Sequence, residues 1–205
     1  KVDLHDFFPS IRSPRVRAAF REMGYSRSIA KVLAELCCLR CCLPQGAPTS
    51  PALSNIIAYP MDKKMMALAG EYGLVYTRYA DDLTFSGDYL PKDEVLVRIH
   101  RIIREEGFTM NVKKTRFLSE HKRKIITGVS VSSGKKMTLP KVKKREIRKN
   151  VHYVLTKGLV GHQEHIGSTD PVYLKRLLGS LCYWRSIEPD NRYVSDSITA
   201  LKRLM

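Results

Sequence analysis

Two runs of strand-forming residues flank adjacent carboxylates in the segment YTRYADDLTFSG, and this segment constrains the fold more than any other. Leu74–Arg78 and Leu83–Ser86 are rich in aromatic and β-branched side chains, which favour strands. Ala80–Asp82 lies between them, so the two runs are expected to pair as an antiparallel β-hairpin with its bend there. Asp is common in turns because its side chain forms local hydrogen bonds, so the hairpin alone gives Asp81 and Asp82 no function.

A third carboxylate lies in the N-terminal segment KVDLHDFF, which is also predicted to be a strand. Asp3 interrupts an apolar run, and an Asp buried in a strand must be paired or bound to a metal. Magnesium satisfies this requirement, because it binds carboxylates together with substrate phosphates. Two such ions can stabilise an in-line displacement at phosphorus.

The formal net charge of +16 is concentrated in one part of the chain. Lys113–Lys149 contains 14 Lys or Arg residues and only two Glu residues. Such a block neutralises phosphates and releases counterions, so nucleic acid is the leading partner. The alternative is a solvated basic face with no specific partner.

Composition and cysteine usage indicate a globular protein of the cytoplasm. The chain is 43% hydrophobic and 27% charged, and no apolar run approaches the ~20 residues that span a bilayer. Four of its five cysteines are crowded at Cys37, Cys38, Cys41 and Cys42, which suits a reducing compartment better than a disulfide framework. Cys38 and Cys41 have the spacing of zinc ligands, but packing in the core is the favoured interpretation.

Helix start and stop signals predict several helices along the chain. They begin near Ser13-Pro14, Ser26, Ser50-Pro51 and Pro91, and the helix after Pro51 is expected to be kinked or split at Pro60. Short strands are predicted at Thr115–Leu118 and Ile125–Val131, followed by a turn at SSGKK. Beyond Pro140 the periodicity is helical only, with Val142, Ile147, Val151 and Leu155 as the first apolar positions. The composition changes near residue 136, which predicts an α+β unit and then a helical unit.

Five segments occur in the order of the palm-domain motifs of reverse transcriptases: KVDLHDFFPSI, LPQGAPTSPALSN, YTRYADDLTFSG, GFTMNVKKT and KIITGVSV. Their wording is most similar to the bacterial retron type. The resemblance covers nearly the whole chain. It implies a polymerase palm over residues 1–136, with an antiparallel sheet and packed helices, and a helical thumb over residues 137–205. It also implies that the fingers are absent from this sequence, so that this piece alone is expected to polymerise poorly.

The resemblance implies roles for individual residues around the carboxylates. Asp3, Asp81 and Asp82 would bind two Mg2+ ions, with the main chain of Leu4 offering a further oxygen. Phe8 would clash with a ribose 2′-hydroxyl and so select deoxynucleotides. Strict strand alternation puts positions 3 and 8 on opposite faces, so this role requires the chain to bend near Phe7.

Further roles concern the incoming nucleotide and the leaving group. The resemblance places Gln45 and Gly46 along the incoming nucleotide and the template base, where glycine permits close backbone approach. Either Lys113 or Lys114 would protonate the leaving pyrophosphate. The sequence does not distinguish the two lysines.

Nucleic acid contacts are expected from basic residues and from one short motif. ITG at Ile126–Gly128 resembles the Val-Thr-Gly triplet with which retron enzymes recognise their structured RNA, and the segment KVKKREIRKN could lie along a duplex backbone. The residues expected to contact nucleic acid are Arg78, Lys114, Thr127, Gly128, Lys141, Lys144, Arg145 and Arg148. Tyr183 and Trp184 are expected to pack between helices, and His162 and His165 to lie on the surface.

The resemblance as a whole implies an RNA-directed DNA polymerase that copies a structured RNA into DNA in antiphage defence. Its expected partners are an RNA template, an RNA/DNA duplex, deoxynucleotide triphosphates, a cognate noncoding RNA and an effector protein, with no membrane. The alternatives are a group II intron-like or other bacterial reverse transcriptase, and a catalytically inactive RNA-binding scaffold. Mg2+-dependent nucleotide incorporation separates the scaffold from the enzymes.

Overall fold

The structure is a computed structural model that describes residues 1–118, 123–132 and 136–204. The chain divides into two compact units, Lys1–Phe117 and Leu118–Met205. The division expected near residue 136 therefore lies further along the chain than the observed one. The difference arises because Ser130 pairs through backbone hydrogen bonds with Thr138, which ties the segment before residue 136 to the second unit. The assignment of palm and thumb remains a prediction.

The first unit combines a three-stranded antiparallel sheet with five helices among the described residues, which confirms the α+β class. Its elements are β1 (Val2–Asp3), α1 (Phe7–Ser10), α2 (Ser13–Glu22), α3 (Arg27–Cys37), α4 (Ser50–Glu71), β2 (Val75–Tyr79), β3 (Asp82–Ser86) and α5 (Lys92–Glu105). The strand order is β1-β3-β2, so the predicted hairpin is confirmed and β1 pairs with its second strand.

The core of the first unit lies between the sheet and α4 and α5. Leu83 of the central strand is fully buried together with Met61, Met65 and Ile103. Cys37 and Cys38 pack against this core as expected, whereas Cys41 is exposed.

Of the two effects expected of Pro60, a kink or a split, the split does not occur, because α4 runs through it from Ser50 to Glu71. Pro60 lies on the exposed face of the helix. A proline inside a helix costs roughly 3 kcal/mol. Burying a side chain such as Ile57, Met61 or Met65 on the opposite face contributes about 1.5–3 kcal/mol each, which outweighs that cost.

The second unit consists of a short hairpin and three helices in its described part. Its elements are β4 (Ile125–Ile126), β5 (Val129–Ser130), α6 (Lys141–His165), α7 (Tyr173–Ile187) and α8 (Arg192–Lys202). The backbone of α6 is not helical at Gly158, where φ is 76°. The single strand expected at Ile125–Val131 is two strands joined at Thr127 and Gly128, both with positive φ.

The strand expected at Thr115–Leu118 is not formed. Arg116 exchanges backbone hydrogen bonds with Lys1 only, so this segment runs beside the N-terminus without a ladder. The turn expected at SSGKK falls largely on residues 133–135, which lie outside the described part of the chain.

The core of the second unit is centred on Trp184, which is fully buried, as expected for a residue that packs between helices. Tyr183 next to it is exposed, contrary to expectation. Ile147, Val151 and Val154 form the buried face of α6, whereas Val142 and Leu155 point to solvent. The apolar periodicity of this helix therefore holds for the middle two of its four expected positions.

His162 is buried, so the expectation that it lies on the surface is wrong, while His165 is exposed. The Nε2 atom of His162 lies 2.8 Å from the hydroxyl of Tyr173, and its ring stacks on Tyr153. Burial lowers the pKa of His162 below its ordinary value of 6.5, and the charges of His165 and Lys149 lower it further.

This histidine predicts a pH dependence of stability. Because its pKa is lower in the folded state, the unfolded chain binds the proton first, and we expect stability to fall as the pH falls below about 6.5. Chemical denaturation between pH 7.5 and pH 5.5 measures this loss, with the pH values chosen to bracket roughly the ordinary histidine pKa. His162→Phe should remove the dependence, and His165→Gln should keep it. An unchanged slope in His162→Phe would contradict the assignment.

No helix within the described ranges is both long and apolar enough to cross a membrane.

Candidate active site

The pairing of β1 with the hairpin brings two of the three predicted carboxylates together, those of Asp3 and Asp82, and sets the main chain of Asp81 beside Leu4. Asp3 lies directly opposite Asp82 in the antiparallel register, and residues opposite each other extend to the same face of a sheet. The amide of Leu4 donates a hydrogen bond of 2.9 Å to the carbonyl of Asp81. The end of β1 is therefore fastened both to the turn and to the first residue of β3.

Asp3 is a buried carboxylate with incomplete pairing. Its side chain is only about a tenth exposed, and Oδ1 is fully buried without a hydrogen-bond partner among the described residues. Its Oδ2 lies 3.4 Å from Nζ of Lys114, which is largely exposed. A buried, unpaired oxygen of this kind destabilises a fold, since the lost hydration is not replaced. Its presence indicates that Asp3 serves something other than stability.

Asp82 is half-buried and forms an ion pair with a different lysine from the one that contacts Asp3. Its Oδ2 lies 2.8 Å from Nζ of Lys1. The carboxylates of Asp3 and Asp82 are thus each matched by one lysine, and neither lysine is buried. Ammonium groups that reach solvent can leave without a large desolvation change, so the pair can exchange lysine for another cation.

A buried network under the hairpin fixes the turn. Nε and Nη2 of Arg78 donate to Asp62 at 2.8 and 2.6 Å, and the hydroxyl of Tyr76 donates to the same carboxylate at 2.7 Å. Nη1 of Arg78 donates to the carbonyl of Ala80, whose φ of 50° is left-handed. Burial, and then the hydrogen bond to Asp62, raises the pKa of Tyr76.

Arg78 was expected to contact nucleic acid, and the structure places it elsewhere. Its side chain is 6% exposed and its donors are directed at protein acceptors. Arg78 therefore supports the turn that carries Asp81 rather than forming part of the surface.

The bend that Phe8 requires is present. Asp6 has a left-handed backbone with φ 46° and ψ 45°, and α1 begins immediately after it. Phe7 is buried while Phe8 is half-buried, with their ring centroids 5.4 Å apart. Phe8 is thereby released from strand alternation with respect to Asp3.

Gln45 and Gly46 are exposed in the turn before α4. Gly46 has a φ of 88°, a conformation that favours glycine. The hydroxyl of Ser50 donates to the carbonyl of Pro44 at 2.7 Å, which ties this turn to the first residue of the helix.

The structure distinguishes the two candidate lysines. The backbone N–H of Asn111 donates to the backbone carbonyl of Asp3 at 2.8 Å, and the turn that follows brings Lys114 to the carboxylate. Lys113 is exposed on the same turn. Of the two, Lys114 is the one that contacts Asp3.

The basic residues expected on α6 divide into two groups. Lys144 lies 2.6 Å from Glu188, and Arg148 lies over the rings of Trp184 and Tyr193. Burial alone would raise the pKa of Glu188, but hydrogen bonds from Lys144 and from the Leu139 amide hold it at about 2.

Five of the expected contact residues are exposed on the surface of the second unit. They are Thr127, Gly128, Lys141, Arg145 and Arg148. The first two form the exposed turn between β4 and β5, and the other three lie on α6. Through their contacts with α7, α8 and Glu188, Arg148 and the half-buried Lys144 also hold α6 in place.

The donor chemistry of the carboxylate pair fits a divalent cation. Carboxylate oxygens are the ligands that Mg2+ prefers, and the unpartnered Oδ1 of Asp3 is a free donor. Across the described residues, no group of three or more His, Cys, Asp or Glu side chains is arranged around one point. Two opposed carboxylates suffice for Mg2+, since it is commonly held by one or two carboxylates plus phosphates.

One charged surface was missed in the sequence. Arg17 and Arg21 on α2, and Arg27 and Lys31 on α3, line a common groove. The density of charge along the sequence is highest in Lys113–Lys149, and these four residues lie outside that segment. The spacing of four residues within each pair would have found them, because such residues share a helix face.

Comparison with known proteins identifies the class. A family profile described as reverse transcriptase (RNA-dependent DNA polymerase) matches residues 1–154. The chain therefore belongs to the reverse transcriptase family, in agreement with the pairing of its carboxylates.

The relatives refine this to the retron type. The chain is 40% identical to the retron Ec86 reverse transcriptase of Escherichia coli, over 80% of this chain and 51% of that protein. It is 35% identical to the retron Mx65 reverse transcriptase of Myxococcus xanthus, over 93% of this chain and 46% of that protein. The predicted resemblance to bacterial retron enzymes is thus confirmed. The chain spans about half the length of these two curated relatives.

Proposed function

We propose that the full-length protein is an RNA-directed DNA polymerase that copies a structured RNA template into DNA. The observation that carries this proposal is the register of β1, which sets Asp3 opposite Asp82 while leaving a buried Asp3 oxygen unpartnered. The family and its retron relatives support it. The first unit would serve as the polymerase palm and the helical unit as the thumb.

Asp3, Asp81 and Asp82 would hold the two Mg2+ ions, with the main chain of Leu4 as a further oxygen donor. When bound, these ions supply charge stabilisation for in-line displacement at the α-phosphate. The protein contributes positioning. Asp62 and Arg78 fix the turn, so the hairpin carboxylates are oriented before substrate arrives.

Lys114 is the proposed general acid. Its ammonium group is exposed, yet Asp3 holds it at the carboxylate site, where it can donate a proton from Nζ to the leaving pyrophosphate. Lys113, on the same turn, would contact phosphate. Gln45 and the backbone of Gly46 would lie along the incoming nucleotide.

Retron membership extends the proposal to partners. The names of the relatives support a cognate noncoding RNA as template. An effector protein, a role in antiphage defence and a cytoplasmic location belong to the same proposal.

Primer extension by the full-length protein on an RNA template tests the proposal. We expect Mg2+-dependent incorporation of deoxynucleotides that stops when a chelator is added. RNA binding without incorporation would overturn the proposal and favour the catalytically inactive scaffold.

Phe8→Ala tests the selection of deoxynucleotides. Removing the ring should relieve the clash with a 2′-hydroxyl, so the preference for deoxynucleotides over ribonucleotides should fall by about tenfold. The measurement is the ratio of kcat/KM for the two substrates on one template. Phe7→Leu is the control, because Phe7 is buried and should change stability rather than this ratio. An unchanged ratio in Phe8→Ala would make Phe8 a packing residue only.

A further inference from the structure

A basic groove lies between two helices of the first unit, and none of its residues belongs to the site described above. It has a volume of about 530 Å³ and is lined by Arg17, Arg21, Arg27, Ser28 and Lys31. Arg17 and Arg21 lie one turn apart on α2, and the other three residues begin α3. All five are exposed.

The charge of this groove is poorly balanced by protein groups. Residues 12–40 include seven Lys or Arg and only two Glu. Lys31 pairs with Glu35 at 3.8 Å, and Arg21 donates to the carbonyl of Tyr25. No carboxylate lines the groove in the described part of the chain. Like charges one helical turn apart are destabilising, as for Arg17 and Arg21 on α2. A bound anion would reduce this repulsion, because no carboxylate among the groove's described residues does so.

The lining also indicates the kind of anion. It contains no aromatic and no aliphatic side chain, so a nucleobase would find nothing on which to stack. Arginine forks and a serine hydroxyl are typical contacts to phosphate oxygens. Side chains four apart on a helix are ~5–6 Å apart at Cβ, so the two helices present a row of cations rather than one point. A row suits a chain of phosphates better than a single one.

We propose that the groove between α2 and α3 binds the phosphate backbone of the RNA. The groove holds the RNA by charge, independently of its sequence, at a place other than the carboxylate site. This inference rests on the proposed function only in taking RNA as the partner.

The test uses the full-length protein and a fluorescein-labelled RNA hairpin, with affinity measured by anisotropy over a range of salt concentrations. Each lost phosphate contact is expected to make the slope of log K against log [salt] shallower by about 1. Arg17→Gln/Arg27→Gln should therefore lose about 2 from the slope and bind about tenfold more weakly at moderate salt. Arg17→Lys/Arg27→Lys should keep most of the slope, because charge is retained.

Arg101→Gln/Arg104→Gln is the matched control. It removes the same charge from exposed positions of α5 on the same unit. In this control, the slope of log K against log [salt] should change by roughly 1 unit or less, which is at most half of the change expected for the groove variant. Equal losses in the two variants would show a general charge effect and overturn the proposal. Thermal melts of all variants separate weak binding from unfolding, and a melting temperature that falls only in the groove variant would also count against it.

Two further measurements distinguish RNA from a nucleoside triphosphate as the ligand of the groove, and RNA binding from polymerase activity. The KM for deoxynucleotides should be the same in wild type and groove variant. A raised nucleotide KM with an unchanged salt slope would assign the groove to a triphosphate and overturn the proposal. RNA binding is measured without incorporation, so a protein that binds RNA through the groove but does not extend a primer would refute the polymerase function and leave this inference standing.

Discussion

Replacing Asp3 with Asn in the full-length protein is expected to slow primer extension by about 10²-fold or more, because the site loses the charge that would hold a divalent cation. The same change should not lower the free energy of unfolding. Asp3 is buried, one of its oxygens lacks a partner and its lysine is exposed, so a neutral amide removes a desolvation cost. Single-turnover extension and urea denaturation measure the two effects.

Asp88→Asn provides the control for this experiment. Asp88 is an exposed carboxylate in the loop after β3, so its loss removes the same charge without touching the site. We expect normal extension and normal stability. If Asp3→Asn extends primers at the wild-type rate, the carboxylate pair is not the catalytic centre. If it instead unfolds the protein, Asp3 is a structural residue.

Asp62→Ala is expected to lower the free energy of unfolding by about 3–5 kcal/mol, because it leaves the guanidinium of Arg78 buried and unpaired. Asp62 accepts two hydrogen bonds from Arg78 and one from Tyr76, and Arg78 is 6% exposed. Urea denaturation followed by circular dichroism measures the loss.

Two comparisons make this prediction specific. Glu71→Ala breaks the ion pair with Arg98, which is exposed, and should change stability little. Asp62→Leu combined with Arg78→Met replaces the buried pair by apolar groups and should recover much of the stability. If the double variant is as unstable as Asp62→Ala, the unpaired charge is not the cause. The recovered double variant should still extend primers slowly, since Arg78 no longer holds the carbonyl of Ala80.

Local signals in the sequence were enough to find the hairpin and most helices. Aromatic and β-branched composition located β2 and β3, and Ser26 caps α3 through its side chain as the start signal indicated. The proximity of Asp3 to the hairpin carboxylates was expected from chemistry rather than from pattern, because a buried strand Asp must be paired or bound to a metal. The register that confirms it could not be read from a two-residue strand.

The features that the sequence did not reveal depend on contacts between distant positions. Asp62 and Arg78 are sixteen residues apart, and nothing in either segment marks them as partners. His162 is polar and lies near the end of a helix, so only the packing of Tyr153 and Tyr173 around it makes it a core residue. Lys113 and Lys114 are adjacent lysines, and the sequence gives no reason to prefer either one. In the structure, the turn after Asn111 brings Lys114 to the carboxylate of Asp3.

The connection between β2 and β3 is only two residues long, so it fixes the register of these two strands. Side chains alternate between the faces of a sheet, so shifting β1 by one position along β3 would turn Asp3 away from Asp82. Neighbouring side chains can repack around a substitution near β1. One residue inserted into β1 would instead move its side chains to the opposite face of the sheet. In this part of the molecule, chain length is under tighter physical constraint than residue identity, and insertions should be confined to the loops that follow the sheet.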